Sequence, residues 1–284
     1  MDTIFQGISN GLMMGWIYVL VALGLTIVFS IMGIMQFAHG EIYMLGAYCT
    51  YYVTVVRGVN VFASLAISAI ALGIGGVILE RVLFRRFRGK IEPGMIVAIG
   101  LILLLQTAAA VGFGTQDKWV PTMVPGVLKI WMVKLAWDRA VCVLVAIILV
   151  FLLFLFIRLT KIGQAMVAIS QDADAATLHG IDVNRVSSLT MAIGCALAAV
   201  AGGLMGAIFQ VQPFMGGFPM GKGIAVIILG GLGSIWGAVI GGLLLGLVDG
   251  LVPLWANTTI ASIIGFVLII LILIVKPQGL LGHE

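Results

Sequence analysis

The sequence predicts an all-α protein, a polytopic transmembrane helical bundle, and three observations lead to this prediction. Of its 284 residues 62% are hydrophobic and only 9% are charged, whereas charged residues make up about 25% of an average soluble protein. Several apolar segments reach the roughly 20 residues that a helix needs to cross a bilayer. The alternating pattern of barrel strands is missing, so helices are the structure that can satisfy the backbone in lipid.

The apolar segments predict about eight membrane spans in one transmembrane domain, residues 1–284. The predicted spans are residues 7–32, 41–57, 61–84, 94–113, 139–157, 187–210, 222–250 and 258–275. The seventh contains GGLGS, residues 230–234, in which three glycines within four residues disfavour a continuous helix. One interpretation is a broken or re-entrant glycine-rich helix, and the other is a straight, closely packed one.

The basic residues predict which loops are cytoplasmic. The loop 85–92, RRFRGKIE, carries four of them, and Lys and Arg are concentrated in cytoplasmic loops of membrane proteins. Two spans later the chain returns to the same side, so residues 158–186 are predicted to form a second cytoplasmic loop, and the N-terminus to lie outside. A single crossing by residues 222–250 would leave the C-terminal segment KPQGLLGHE on the outer side of the membrane. A broken, re-entrant segment at GGLGS would resolve this conflict, because the last span would then end on the cytoplasmic side.

Several functional classes are disfavoured by the composition. The sequence shows no nucleophile accompanied by a base and an orienting partner and no cluster of metal ligands, so we expect neither catalytic residues nor a metal site. Cys49, Cys142 and Cys195 lie in apolar segments without paired spacing, which is typical of packing residues. The net charge of +4 reflects basic loops beside a membrane and predicts no nucleic-acid partner.

The stretch GGFPMGKG resembles a phosphate-binding loop, with Gly216, four intervening residues, and then Gly221 and Lys222. In such a loop a Ser or Thr follows the Lys and holds magnesium, but here the next residue is Gly223. The stretch also lies between a predicted membrane helix and an apolar run rather than between a strand and a soluble helix. We therefore expect no ATP binding here, and we expect Lys222 at the outer interface with its amine in water.

A second unusual stretch is MQFAHGEIY, residues 35–43, which places His39 and Glu41 between two apolar spans. A charge inside the bilayer costs about 3 kcal/mol, so these residues should face a cavity, a partner or the surface. In one interpretation the break at Gly40 lines a path through the membrane, with Phe37 nearby; in the other the stretch is an ordinary cytoplasmic turn. The remaining candidates for such a path are Gly230, Gly231, Gly233 and Ser234.

The polar loop SQDADAATLHGIDVNR predicts a short cytoplasmic helix of about two turns. Ser170 can cap the N-terminus of this helix, and the acidic side chains of Asp172 and Asp174 interact favourably with its positive N-terminal end. Gly180 can end the helix. Its small residues form a surface that fits a groove on a partner protein. A solvated loop helix without a partner is the alternative.

Four stretches together carry a resemblance to a known family: MGIMQFAHGEIYMLGAY, DADAATLHGIDVNRVSSLTMAIGCALAAVAGGLMG, LGGLGSIWGAVIGGLLLG and KPQGLLG. Through them nearly the whole chain resembles the LivH-like inner-membrane permeases of bacterial ATP-binding-cassette importers for branched-chain amino acids. The resemblance implies that the short cytoplasmic helix docks on a separate ATPase subunit. The residues implied to take part are Asp172, Ala173, Asp174, Ala176, Thr177, Leu178, Gly180 and Ile181.

The resemblance also implies the partners and the location. They are two ATP-binding-cassette ATPase subunits, which would bind ATP and Mg, a second homologous permease subunit, and a periplasmic solute-binding protein, all at the bacterial inner membrane. The chain itself is expected to bind no cofactor and to be a transport subunit rather than an enzyme. Two alternatives are an importer of the same architecture for urea or short amides, and an ATP-independent channel or secondary carrier.

Overall fold

The computed structural model describes residues 2–130 and 133–282, which form a helical bundle with one small hairpin. Seven of the helices in these residues are long and apolar enough to cross a membrane. This finding confirms the all-α prediction, and the number of spans is close to the eight that the sequence predicts. The elements are α1 (Asp2–Met32), α2 (His39–Tyr51), α3 (Val61–Val82), α4 (Ile91–Phe113), β1 (Val127–Ile130), β2 (Val133–Ala136), α5 (Trp137–Leu159), α6 (Lys161–Gln171), α7 (Ala173–Leu178), α8 (Val183–Gly206), α9 (Gly217–Gly230), α10 (Ile235–Leu251) and α11 (Thr258–Val275).

The hairpin of β1 and β2 was not predicted. The two strands are antiparallel, with Val127 opposite Ala136 and Ile130 opposite Val133, and they lie in the loop between α4 and α5. Each strand has four residues, which is too short for a clear alternating pattern. The hairpin therefore adds to the all-α bundle without changing its class.

Glycines allow α1 to pack closely against α10 at the centre of the bundle. A Cβ atom built on Gly246 would lie 2.2 Å from the Cα of Gly15, and one built on Gly250 would lie 2.4 Å from the Cα of Gly11. Such distances are possible only without side chains, and the close approach of the two backbones gains dispersion contacts in lipid. The seam joins Gly7, Gly11 and Gly15 of α1 to Gly242, Gly246 and Gly250 of α10.

The predicted break at GGLGS is confirmed, because residues 222–250 belong to two helices rather than one. Helices α9 and α10 run antiparallel, and Gly230 and Gly237 meet backbone to backbone. The turn between them requires positive φ angles of 103° at Gly231 and 87° at Gly233, which glycine adopts without steric cost. Ser234 then caps α10 by accepting a hydrogen bond from the amide of Gly237 at 3.1 Å.

The basic loops and the C-terminus lie at one end of the bundle. The Leu280 amide donates to the carbonyl of Leu229 at 2.9 Å, so the C-terminal segment packs beside the turn of the α9–α10 hairpin. Arg88 donates to Asn184 at 2.8 Å, which joins the loop after α3 to the start of α8. We call this the cytoplasmic end, following the distribution of Lys and Arg. The C-terminal segment lies at the same end as the basic loops, which agrees with the predicted break at GGLGS.

Between α1 and α2 the chain runs inside the bundle without helical structure, over residues 33–38. His39, the first residue of α2, packs against α1 at Gly24, where a built Cβ would lie 2.7 Å from the Nε2 atom of His39. Gly24 is eight residues before Met32, the last residue of α1, or about 12 Å at 1.5 Å per residue. Helix α2 therefore starts well inside the bundle, and we call residues 33–38 the extended segment.

Candidate translocation path and coupling helix

The first turns of α2 and α9 meet inside the bundle. A Cβ atom built on Gly40 would lie 2.4 Å from the carbonyl oxygen of Gly216, and one built on Gly216 would lie 2.2 Å from the carbonyl oxygen of Gly40. These distances leave no room for a side chain on either residue. We call this backbone contact the Gly40–Gly216 contact.

Three polar side chains are buried beside this contact. His39 is 0%, Gln36 1% and Glu41 2% exposed. Glu41 accepts a hydrogen bond from Gln106 of α4 at 2.8 Å, whereas both ring nitrogens of His39 and both polar atoms of the Gln36 side chain have no partner in the described part of the chain. These burials contradict the interpretation of residues 35–43 as an ordinary cytoplasmic turn.

Two recesses open near the Gly40–Gly216 contact. We call them the outer recess and the inner recess. The outer recess has a cavity volume of about 500 Å³, within the roughly 300–1,000 Å³ of small-molecule sites, whereas the inner recess has a cavity volume of only about 30 Å³. The outer recess is lined by Met14, Tyr43, Trp119, Met205, Ile208, Phe209, Gln210, Gln212, Phe214, Met215, Phe218 and Pro219. The inner recess is lined by Leu25, Phe29, Ile34, Met35, Gln36, Phe37, Met220, Ile224, Ile227, Ile228 and Leu232.

The contact lies close to the boundary between the two recesses on both segments that form it. On the first segment Phe37 lines the inner recess and Tyr43 the outer one, with Gly40 between them in sequence. On the second, Met215, Phe218 and Pro219 line the outer recess and Met220 lines the inner one, so the lining changes within the first turn of α9. A solute that passed from one recess to the other along these segments would have to pass the backbone contact.

The other predicted path residues, which belong to the turn at residues 230–234, do not lie at the Gly40–Gly216 contact. The turn at residues 230–234 is separated from Gly216 by the length of α9, 14 residues or about 20 Å. It lies at the cytoplasmic end, where Gly233 and Ser234 line a separate recess with Arg158 and Ser170. The two predicted sets of path residues therefore lie at opposite ends of α9, and the inner recess runs along this helix from Met220 to Leu232.

An ion pair inside the bundle was missed by the sequence analysis. The Nζ of Lys222 on α9 lies 2.8 Å from a carboxylate oxygen of Asp249 on α10, and the hydroxyl of Tyr18 on α1 donates to the other oxygen at 2.8 Å. Lys222 is only 5% exposed, so the prediction of an amine in water was wrong. The signal in the sequence was a Lys and an Asp, each isolated in an apolar run.

We expect the Lys222–Asp249 pair to depend on the presence of both charges. Lys222→Met or Asp249→Leu alone leaves one buried charge unpaired, which costs about 3–5 kcal/mol, whereas the double variant removes both charges and costs less than either single one. Thermal unfolding of the purified variants in detergent measures this. Single-variant losses that simply add up in the double variant would contradict the pairing.

The short helix predicted within residues 170–185 exists as α7, but with a different cap. Asp172 caps it by accepting hydrogen bonds from the amides of Asp174 and Ala175, both at 2.9 Å. Ser170 instead belongs to the end of α6 and donates to the carbonyl of Val167. Gly180 follows α7 with a φ of 80°, as expected for a residue that ends a helix.

The side chains of α7 divide into an outer and an inner set. Leu178 is 89% exposed, and Asp172, Ala173, Asp174, Thr177 and Gly180 are also exposed, while Ile181 is half-buried. Ala176 is only 4% exposed and packs in a small core with Met166, Ile169 and Val186. The prediction that Ala176 contributes to a docking surface is therefore corrected, because its side chain attaches α7 to α6 and α8.

Comparison with known proteins identifies the family. Residues 7–273 match the family model described as "Branched-chain amino acid transport system / permease component". The chain is 35% identical to the "High-affinity branched-chain amino acid transport system permease protein LivH" of Escherichia coli K12, over 98% of this chain and 95% of that protein. It is 27% identical to the corresponding permease protein LivM of the same strain, over 93% of this chain and 68% of that protein.

A solved structure has the same fold at low sequence similarity. "PsaBC from Streptococcus pneumoniae in complex with Fab" superimposes with a TM-score of 0.52 at 13% identity, covering 95% of this chain and 91% of that one. The apolar helices and the relatives together make the chain a multi-pass inner-membrane protein. From the family match over nearly its whole length, the chain belongs to the permease components of branched-chain amino acid transport systems.

Proposed function

We propose that this chain is the permease subunit of an ATP-binding-cassette importer that carries branched-chain amino acids across the inner membrane. A second, homologous permease would complete the path, a periplasmic binding protein would deliver the solute, and two ATPase subunits would hydrolyse ATP with Mg. The observation that carries the proposal is the pair of recesses on either side of the Gly40–Gly216 contact.

The lining of the two recesses supports an apolar solute. Trp119, Phe218 and several methionines surround the outer recess, whose polar residues include Gln210 and Gln212. Aliphatic side chains dominate the inner recess, where Gln36 is the polar residue of the lining. Apolar linings with a few polar groups suit small ligands that carry an apolar part. An aliphatic amino acid side chain fits this description, whereas urea offers little apolar surface.

The Gly40–Gly216 contact supports alternating access. Transport driven by ATP requires two states in which the solute site opens to opposite sides, and each partner must bind one state better than the other. The closest approach of the two helix ends is between glycine backbones, with the Met220 side chain beside Gly40, so the ends can separate with little repacking of large side chains. We therefore propose that this contact is the closed point of the path in the present state.

The exposed side of α7 supports docking of an ATPase subunit. Leu178 is the most exposed of the large apolar residues on the described surface, and it lies at the cytoplasmic end outside the predicted spans. An apolar side chain that projects from a short helix among polar neighbours suits a groove on a partner. We propose that Leu178, Thr177, Asp174 and Ala173 form the docking surface of α7.

The second permease is supported by the relatives. The chain matches LivH and LivM, two differently named permease proteins of one strain, over most of its length. A paired permease would bring a second set of recesses to the path.

The experiment that tests the proposal is reconstitution of the co-purified complex in vesicles. Tagged permease is isolated from its native membrane, the partners are identified by mass spectrometry, and uptake of radiolabelled leucine, isoleucine and valine is measured with and without ATP. We expect uptake only with ATP, with an ATPase and a second permease among the partners, and no competition by urea. Uptake without ATP by the permease alone would instead establish a carrier.

A further inference from the structure

Glu80 is a fully buried carboxylate at the cytoplasmic end of the bundle. It lies in the last turn of α3, is 0% exposed, and accepts hydrogen bonds from Ser188 at 2.6 Å and from Arg85 at 3.0 Å. Arg88 also pairs with it. A carboxylate buried this deeply needs such cationic partners, because an unpaired buried charge is costly.

The same cluster attaches the beginning of α8 at two points. Ser188 donates to Glu80, and Arg88 donates to the side-chain oxygen of Asn184 at 2.8 Å. Asn184 and Ser188 are four residues apart and so lie on one face of the helix. We call Glu80, Arg85, Arg88, Asn184 and Ser188 the Glu80 cluster.

On one side the Glu80 cluster is connected to α7. The amide of Ile181 donates to the carbonyl of Ala176 at 3.1 Å, and Ala176 packs in the same small core as Val186 in the first turn of α8. The start of α8 therefore follows α7 when that helix moves, because the two share a core and a short connection.

On the other side the cluster is connected to the extended segment. The loop that carries Arg85 and Arg88 continues to Gly89, whose amide donates to the carbonyl of Met32 at 3.0 Å. A Cβ atom built on Gly33 would lie 3.3 Å from the Cα of Gly89. The loop thus contacts the start of the extended segment, which lines the inner recess through Phe37.

We propose that Glu80 is a positioning residue that transmits movement of α7 to the extended segment, and so to the Gly40–Gly216 contact. This inference rests on the proposed docking of an ATPase on α7. Buried ion pairs often add little stability over apolar side chains of similar volume, but their charge-assisted hydrogen bonds are short and directional. The cluster holds α3, the following loop and α8 in one arrangement, so that they move together.

The test compares Ser188→Ala with Ser187→Ala in the reconstituted complex. Ser188→Ala removes the hydrogen bond from α8 to Glu80 and the one that Arg85 donates to the Ser188 hydroxyl at 3.2 Å. Both arginines remain paired with the carboxylate, so the permease remains folded. Ser187 is the matched control, because it is the buried neighbour on the same helix and its hydroxyl has no partner in the described residues. The measured quantity is the number of solute molecules imported per ATP hydrolysed.

We expect Ser188→Ala to lower the imported solute per ATP about tenfold, within the range typical of coupling between sites, while ATP hydrolysis continues. Ser187→Ala should keep the wild-type ratio. Equal ratios in the two variants would overturn the inference. Parallel losses of transport and hydrolysis in Ser188→Ala would also overturn it, because they would indicate a merely structural role.

A second measurement follows the extended segment directly. Phe37→Cys places a thiol at the inner recess, and its modification from the cytoplasmic side is measured with and without ATP, with the chain lacking this substitution as the background control. We expect ATP to change the modification rate in the otherwise wild-type protein and not in the Ser188→Ala variant. A rate that responds to ATP equally in both would contradict transmission through the cluster.

The outcomes separate this inference from the proposed function. Leucine uptake by the wild-type complex without ATP would overturn the proposed function itself. ATP-dependent uptake in the wild type together with normal coupling in Ser188→Ala would leave the importer intact and overturn only the role of Glu80.

Discussion

Replacement of Leu178 with Arg is expected to abolish solute uptake while leaving the permease folded in the membrane. Leu178 is 89% exposed, so the new side chain meets no core. Burying an Arg in an apolar groove of the proposed ATPase would cost about 2 kcal/mol or more, which corresponds to roughly 30-fold in affinity. Co-purification of the ATPase and leucine uptake in vesicles measure the effect.

Ala176→Arg is the comparison for this variant, since it lies on the same helix but faces inward. Ala176 is 4% exposed and packs against α6 and α8, so a large charged side chain there should reduce the amount of folded permease. Leu178→Arg should leave that amount unchanged in size-exclusion chromatography. Normal ATPase co-purification and normal uptake by Leu178→Arg would refute docking through this surface.

The second large effect is expected from Gly216→Ala, compared with Gly217→Ala beside it. A Cβ atom at Gly216 would lie 2.2 Å from the backbone oxygen of Gly40, whereas one at Gly217 has nothing within 4 Å. The first substitution therefore forces the Gly40–Gly216 contact apart, and the second is tolerated. Alanine also favours a helix over glycine by up to about 1 kcal/mol, so Gly217→Ala should be neutral or stabilising.

Leucine uptake and the amount of folded protein are measured for both glycine variants. We expect Gly216→Ala to lose uptake beyond any loss of folded protein, and Gly217→Ala to keep both. Uptake that falls only in proportion to the folded protein would show that the contact serves packing and not transport. Wild-type uptake by Gly216→Ala would show that the path does not depend on this contact.

Much of the bundle could be predicted because the bilayer imposes it locally. The apolar runs had to become helices, since lipid offers no partners for the backbone. The break at Gly230–Ser234 was foreseeable from three glycines and from the side on which the C-terminus had to lie. The four-residue spacing of Gly7, Gly11 and Gly15 is typical of a packing seam, and the structure places these residues against α10.

The candidate site was predicted only in part, because its residues come from distant positions. His39, Gly40 and Glu41 were singled out as unusual in an apolar setting, but their contacts with Gly24, Gly216 and Gln106 depend on how four helices pack. Ala176 was assigned to an outer surface, since a run of small residues does not show which one faces the core. Glu80 was not singled out, because its partner Ser188 lies 108 residues away.

The membrane class, the approximate spans and the helix break follow from the sequence, because composition and glycine act over a few neighbouring residues. The packing of the helices was needed to show that α2 and α9 begin against each other inside the bundle, that Lys222 pairs with Asp249, and that the Glu80 cluster joins α3 to α8. Each of these contacts depends on how one helix is rotated relative to another and on how deep it lies in the bundle. Close backbone contacts between glycines that are far apart in the sequence set this arrangement.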